Sequence, residues 1–370
     1  MLLRGHNANV WDARQWKELG DDFDVEMLVT GANLHEVGDV PVKTVAVRTP
    51  RDALPAGRAA GAVAYAIGER YLGLEKRLAG ADLVHTSEIG TWFSAQAARL
   101  KARLGFRLVV TVAETLPWLD TYRWPRERAY RRAVLPAGDL FLAMTERARD
   151  TLRLEGVDAE RIVIHPPGID QASFAAAPPP APREHTVLSA GRLVWEKGHQ
   201  DLLRAIAALR RGLVGRPRRD VRMLAVSSGP EERRLVRHAR ELGLADVAEF
   251  RPTVPYSEMP ALYASASAIV LASLPTRGWE EQFGWVLVEA MASGTPIVAC
   301  STGAIPEVLG GQGALVPAGD WMAMAAALAA GPLAGAPGAR TSYDTARLRH
   351  FSTEAAAQRL RAAYARALAP

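Results

Sequence analysis

The chain has 370 residues, 49% hydrophobic and 23% charged, with 45 Lys+Arg against 40 Asp+Glu and a single cysteine, Cys300. That length points to two domains, the composition is too apolar for a disordered chain, and one cysteine excludes an intrachain disulfide, consistent with a reducing compartment. A formal charge of +5 is too small to imply nucleic acid, but it fits a protein that handles phosphates or rests on an anionic membrane.

Residues 1–7 lack the long apolar stretch of a signal peptide. Short apolar runs then predict strands over 25–29, 44–47, 83–85, 108–112, 140–144 and 162–165. Helical patterns lie between them, as over 91–104 and 127–135. Strand and helix in alternation mean a parallel sheet with helices on both faces. The run Pro178-Pro179-Pro180-Ala181-Pro182 reads as a stiff linker. The expected domains are therefore 1–175 and 183–345. Alternation resumes with strands over 186–189, 223–226, 248–250, 268–272 and 297–299, and helices over 199–210, 231–242, 257–266, 284–292 and 321–330. A closing helix is expected over 352–368, opened by Ser352-Thr353-Glu354. The apolar-leaning run 261–274 is short and broken by Ser265, Ser267 and Ser273, so no membrane-spanning helix is expected. Two doubly wound domains joined by one linker place a cleft between the carboxyl ends of their sheets, where ligands bind.

Two segments carry chemistry. Gly191-Arg192-Leu193-Val194-Trp195-Glu196-Lys197-Gly198 follows a predicted strand and opens a helix. Two cations at a helix N-terminus, with glycines allowing close backbone approach, make a phosphate-binding arrangement. The pattern matches neither a Walker loop nor a dinucleotide fingerprint. Lys197 is also the only lysine after Lys101. The second segment is Glu281-Gln282-Phe283-Gly284-Trp285-Val286-Leu287-Val288-Glu289, where a helix starts near Gly284 and free N–H groups can cradle a diphosphate. Two carboxylates at this spacing suit two sets of sugar hydroxyls. Taken alone, Glu289 reads as a solvent-facing helix carboxylate.

Together these segments resemble glycosyltransferase family 4. The likeness continues through Ala290-Met291-Ala292-Ser293-Gly294-Thr295-Pro296-Ile297-Val298, Gly303-Ala304-Ile305-Pro306-Glu307-Val308 and Val163-Ile164-His165-Pro166-Pro167-Gly168-Ile169-Asp170. The resemblance implies a GT-B fold: two Rossmann-like doubly wound parallel-sheet α/β domains facing a cleft, with acceptor in the first, donor in the second and the closing helix packed back on the first. It implies retaining transfer of a hexose-type sugar from a UDP-, GDP- or ADP-sugar to a hydroxyl of a glycan, glycolipid or small molecule, with no metal or cofactor. Arg192 and Lys197 would neutralise the diphosphate, and Glu281 would touch the transferred sugar. Gly191, Phe283, Gly284, Trp285 and Val286 would hold sugar and diphosphate, Glu289 the ribose, and Gly229 and Pro252 would lie near the nucleoside. The family commonly has a histidine after the strand at 108–112, where this chain reads Ala113-Glu114-Thr115-Leu116-Pro117-Trp118. Glu114, His85 and His6 are the acceptor-side candidates. Polysaccharide or glycolipid biosynthesis in the cytoplasm, or peripherally at the inner membrane face, is the implied setting.

Alternatives are a nucleotide-sugar epimerase of the same architecture and a catalytically silent homologue that acts as a binding partner. Asp22-Phe23-Asp24 matches a metal-binding Asp-x-Asp but falls in a turn, which favours Asp by itself. The Arg- and aromatic-rich run 122–132 suits a membrane interface, an anionic acceptor or a solvated helix face. Of Trp195, Trp279 and Trp285, one is expected to stack on a sugar and the others to pack the cleft floor.

Overall fold

Strands and helices alternate along the whole chain in a computed structural model, which describes all residues except 36, 39, 55–57, 120–124, 176–183, 216, 218, 219 and 370. The order opens with β1 (Leu2–Leu3), α1 (Val10–Lys17), β2 (Glu26–Val29), β3 (Lys43–Ala46), α2 (Arg58–Ile67) and α3 (Leu74–Leu78). It continues with β4 (Leu83–Ser87), α4 (Trp92–Leu104), β5 (Arg107–Val112), α5 (Pro125–Ala137), β6 (Leu140–Ala143), α6 (Glu146–Leu154) and β7 (Ile162–Ile164). Then come α7 (Gln171–Ala175), β8 (His185–Ala190), α8 (His199–Arg210), β9 (Val221–Val226), α9 (Glu232–Glu241), β10 (Ala248–Arg251), α10 (Met259–Ser265) and β11 (Ala268–Leu271). The chain closes with α11 (Trp285–Ser293), β12 (Ile297–Cys300), α12 (Ile305–Leu309), β13 (Ala314–Val316), α13 (Trp321–Ala330), α14 (Thr345–His350) and α15 (Thr353–Leu368).

Two compact units result: Met1–Ile169 with Ser352–Pro370, and Asp170–Phe351. The division falls ahead of the proline-rich run, which lies outside the described residues. Phe174 explains the shift from residue 175. On α7, it is buried and sets its ring edge-on to Tyr256 and Tyr263, so 170–175 pack with the second unit.

The first unit holds a seven-stranded sheet of order β3-β2-β1-β4-β5-β6-β7 and the second a six-stranded sheet of order β10-β9-β8-β11-β12-β13; every strand pair is parallel. Helices cover both faces, so strands such as β6, β11 and β12 are buried along their whole length rather than on alternate residues. The two-residue β1, too short to leave a pattern, sits between β2 and β4.

Helix α15 belongs to the first unit. Ala357, Leu360, Ala363, Tyr364 and Ala367 recur at helical spacing and pack on Leu2, Trp16, Met27 and Val109. Among the described residues no helix is long and apolar enough to cross a membrane.

Candidate functional site

In parallel sheets of this order, ligands collect at the carboxyl ends of the strands where the order reverses. In the second sheet that point lies between β8 and β11. The loop leaving β8 carries Gly191, Arg192 and Lys197. The loop leaving β11 runs through Ser273 to Glu281 before α11 begins. Backbone joins the loops: Leu274 N–H donates to the Glu196 carbonyl at 2.8 Å. Gly198 permits this closeness. Its φ is +69, and a β-carbon there would lie 1.8 Å from the Ala272 carbonyl oxygen.

Lys197 and Glu281 meet as an ion pair, Nζ to Oε2 at 2.7 Å, with side chains only 16% and 7% exposed. Ser273 Oγ donates to the same Oε2 at 2.6 Å, and Nζ lies 4.8 Å from the Trp279 ring centroid. A charge pair taken this far from water needs such added partners to offset its desolvation. Oε1 of Glu281 has no hydrogen-bond partner among the described residues, nor does the exposed Arg192 guanidinium. Both remain available to a ligand.

His199, buried at the start of α8, fixes the backbone of Arg192. Its Nε2 lies 3.0 Å from the Arg192 carbonyl and its Nδ1 2.9 Å from Ser189 Oγ. A carbonyl only accepts, so Nε2 carries the proton and Ser189 donates to Nδ1. Burial lowers the pKa of the ring and keeps it neutral.

Gly284, at φ +82, caps α11, leaving the first-turn N–H groups at Trp285 and Val286 without intrahelical partners. The helix dipole favours an anion at this end. Phe283 is buried against Trp285 and Phe351, with ring centroids 5.7 and 5.6 Å away. Glu289, one turn into α11, is 4% exposed rather than solvent-facing. Its Oε1 accepts from Tyr256 Oη at 2.9 Å and its Oε2 from Tyr263 Oη at 2.6 Å. Gly229 and Pro252 follow β9 and β10 at the same edge of the sheet. The β9–α9 loop is pinned to the β8–α8 loop by Leu193 N–H to the Ser228 carbonyl, 3.1 Å, and Glu231 N–H to the Leu193 carbonyl, 3.0 Å. Of the three tryptophans, Trp195 is the exposed one, at 47%, with the Arg234 guanidinium 4.8 Å over its ring.

In the first unit the strand order reverses between β1 and β4. His6, in the loop after β1, is 7% exposed and accepts from or donates to Thr30 Oγ1 at 2.8 Å, with its Nε2 3.7 Å from Glu69 Oε1. Burial lowers its pKa, and Glu69 opposes that. Glu114, after β5, is 8% exposed, and its Oε1 accepts from the N–H groups of Thr115 and Leu116 at 2.9 and 2.8 Å. His85 is different. It is fully buried within β4, with Nδ1 2.6 Å from Tyr364 Oη and Nε2 2.7 Å from Thr111 Oγ1. Burial drives its pKa well below the ordinary value. This histidine locks α15 to the sheet and reaches no acceptor surface, which corrects the expectation for it. The Asp-x-Asp turn is also engaged, Asp22 pairing with Arg361 at 2.8 Å. In the basic aromatic run, 122–124 lie outside the described residues, and Arg131 is bound to the buried Glu155. A cavity of about 580 Å³ lined by Asp24, Glu26, Asp82 and Leu83 opens at the amino ends of β2 and β4, the edge opposite to the functional loops.

Sequence reading missed Ser273, His199, Tyr256, Tyr263 and Glu88. The polar signals at Ser273 and Tyr263, each inside or beside an apolar run, were available. Glu88 lies in the loop after β4, and burial pushes its carboxyl from 4.5 up to about 8.

Comparison with known proteins follows the same division. Residues 9–168 match the model described as a glycosyl transferase 4-like domain, and residues 184–330 that of glycosyl transferases group 1. The chain is similar to the D-inositol 3-phosphate glycosyltransferase of Pseudarthrobacter chlorophenolicus, 35% identical over 53% of this chain and 48% of that protein. It is also similar to D-inositol 3-phosphate glycosyltransferase 1 of Catenulispora acidiphila, 29% identical over 96% and 89%. The matched stretch thus spans about half the length of the first relative and most of the second. Among solved structures, Anabaena HepE in complex with UDP and glucose superposes with a TM-score of 0.71, at 16% identity over 99% of both chains. The chain therefore belongs to the glycosyltransferases of the family 4 type and has the GT-B fold.

Proposed function

We propose that this glycosyltransferase moves a hexose-type sugar from a UDP-, GDP- or ADP-sugar to a hydroxyl acceptor, with retention at the anomeric carbon and without a metal or cofactor. The observation that carries this reading is the Lys197–Glu281 pair at 2.7 Å beside the start of α11, where the Gly284 N-cap offers no side chain to the first-turn N–H groups. Arg192, Lys197 and the N–H groups from Gly284 to Val286 would face the diphosphate, whose charge grows as its bond to the sugar breaks. Stabilising that developing charge is usually the largest catalytic contribution, and cations fixed in advance supply it without a bound ion. Glu281, held by Lys197 and Ser273, would accept hydrogen bonds from the sugar hydroxyls near the reacting carbon. Glu289 would bind the ribose, and Gly191, Gly229, Phe283 and Pro252 would shape the pocket around the nucleotide.

The acceptor is assigned to the first unit, beside His6 and Glu114. The relatives' names specify D-inositol 3-phosphate, so that compound is the first acceptor to test, followed by glycans and lipid-linked sugars. The setting proposed is the cytoplasm, including the inner membrane face. An epimerase reading finds no support among the named relatives.

The test is to incubate the protein, in EDTA, with each sugar nucleotide with and without acceptor. Slow donor hydrolysis that converts to transfer when acceptor is added supports the reading. Glu281→Ala should lower turnover at least about 100-fold while changing nucleotide affinity less than about threefold. Lys197→Ala should weaken donor binding about tenfold or more. Near-wild-type turnover in Glu281→Ala would remove that residue's role, and tight nucleotide binding with no turnover in the wild type would favour a silent homologue.

A further inference from the structure

The loop that leaves β5 in the first unit keeps a large apolar side chain in water. Trp118 is 56% exposed, and its indole Nε1 has no hydrogen-bond partner among the described residues. Its backbone stands at a φ of 49. That left-handed conformation costs a residue with a side chain energy, and it persists where the surroundings enforce it. The enforcing group is Glu155, at the end of α6. Its Oε1 accepts the Trp118 N–H at 2.6 Å, and its Oε2 is bound by the Arg131 guanidinium of α5. The Glu155 side chain is fully buried and that of Arg131 is 19% exposed.

A charge pair removed from water carries a desolvation cost, and this one holds in place the backbone of an indole that packing does not enclose. Strain of this kind collects at ligand sites, where it orders a binding group in advance. The same loop carries Glu114 four residues earlier, so the two Cα atoms lie within roughly 14 Å of each other along the chain. A pyranose or cyclitol ring has hydroxyls around its rim and electron-poor C–H bonds on its face. Indole offers those C–H bonds an electron-rich face and offers a hydroxyl one N–H donor. A bilayer takes up an indole in many orientations and needs no fixed backbone, so the rigid hold favours a ligand of defined shape.

We propose that Trp118 is a stacking platform for a six-membered polyol ring of the acceptor, a pyranose or a cyclitol, and that the buried Arg131–Glu155 pair holds it in position. This rests on the reading that the first unit takes the acceptor. Trp118 supplies the ring contact, and Glu155 acts through it as a positioning residue.

The experiment labels the protein with fluorotryptophan and identifies the Trp118 fluorine resonance by its loss in Trp118→Phe. The labelled protein is titrated with myo-inositol, methyl glucopyranosides and methyl maltoside, and separately with phosphatidylglycerol–phosphatidylcholine vesicles. At least one polyol should shift the Trp118 resonance to saturation. Trp118→Leu should weaken that polyol about fivefold or more, and Trp118→Phe, which keeps an aromatic face, less than about twofold. Melting temperatures of both variants should match the wild type, because the side chain is exposed. Glu155→Gln should weaken the polyol too, although the indole is intact; unchanged binding there removes the positioning role. A resonance that no polyol moves, or that only vesicles move, overturns the proposal, as does wild-type polyol affinity in Trp118→Leu. A transfer assay separates this from the reading beneath it. Polyol binding at Trp118 without transfer from any sugar nucleotide sinks the transferase reading, whereas transfer beside a silent Trp118 sinks the platform alone.

Discussion

Glu88 leaves β4 with a positive φ of 63, a conformation that costs a non-glycine residue energy and persists where surrounding structure enforces it. Its Oε1 accepts from Ala113 N–H at 2.9 Å, tying the β4 loop to the β5 loop. Burial is the main cause of its raised pKa, with the nearby Glu114 charge adding to it. The carboxyl has an ordinary pKa of 4.5 and one of about 8 in the fold. Between those values the folded protein keeps a proton that the unfolded chain has released. Stability from this group is therefore complete below the lower value and is lost as pH rises through the upper one. Glu88→Gln should remove that component, so the melting temperature of the variant relative to wild type should rise steadily between about pH 5 and pH 8. A constant difference between the two proteins across that range would contradict the assignment. Neither the αL backbone nor the burial of Glu88 is visible in the string Thr86-Ser87-Glu88-Ile89, which reads as an ordinary loop.

The proposed donor site rests on two strand–loop–helix units, β8–α8 and β11–α11, whose loops touch. Gly198 is the point of contact. Gly198→Ala adds a β-carbon at a backbone φ of +69 and at 1.8 Å from the Ala272 carbonyl, a fixed backbone atom that cannot step aside. The expected cost is about 3 kcal/mol, read as a lower urea midpoint with unchanged slope. Donor affinity should fall with it, because the Lys197 side chain depends on this turn. Full retention of the wild-type midpoint would show that the loops can separate without cost. The sequence pattern located these two helix starts because the glycine and charge spacing is local. It did not locate His199 as the anchor of Arg192, since a histidine in the first turn of a helix has many ordinary uses.

Across the whole chain, the last helix returns to the unit in which the chain began. Tyr364 is its anchor: Trp16 Nε1 donates to Tyr364 Oη at 2.7 Å, and that hydroxyl lies 2.6 Å from His85 Nδ1. The ring is nearly fully buried among residues of β1, α1 and β5. Tyr364→Ala should destabilise the first unit by about 3–5 kcal/mol, the range for removing a large buried side chain. Tyr364→Phe should cost less but leave Trp16 and His85 short of a partner, about 1–3 kcal/mol. Denaturant unfolding monitored by tryptophan fluorescence measures both, and equal midpoints for wild type and Tyr364→Ala would show that α15 is not fastened there.

By itself the sequence determined the alternation of strands and helices, the two-unit plan and the glycine- and charge-bearing helix starts at α8 and α11, because periodicity, turn chemistry and helix-start residues act over a few positions. Tertiary structure decided what depends on distance in space. It brought Lys197 to Glu281, 84 residues away, and enclosed Glu289 between two tyrosines from a neighbouring turn and helix. It also moved His85 from the acceptor candidates into the core, where the hydroxyls of Tyr364 on α15 and Thr111 on β5 meet its two ring nitrogens. A residue's type states which bonds it can make; only packing determines which partners arrive and how much water remains.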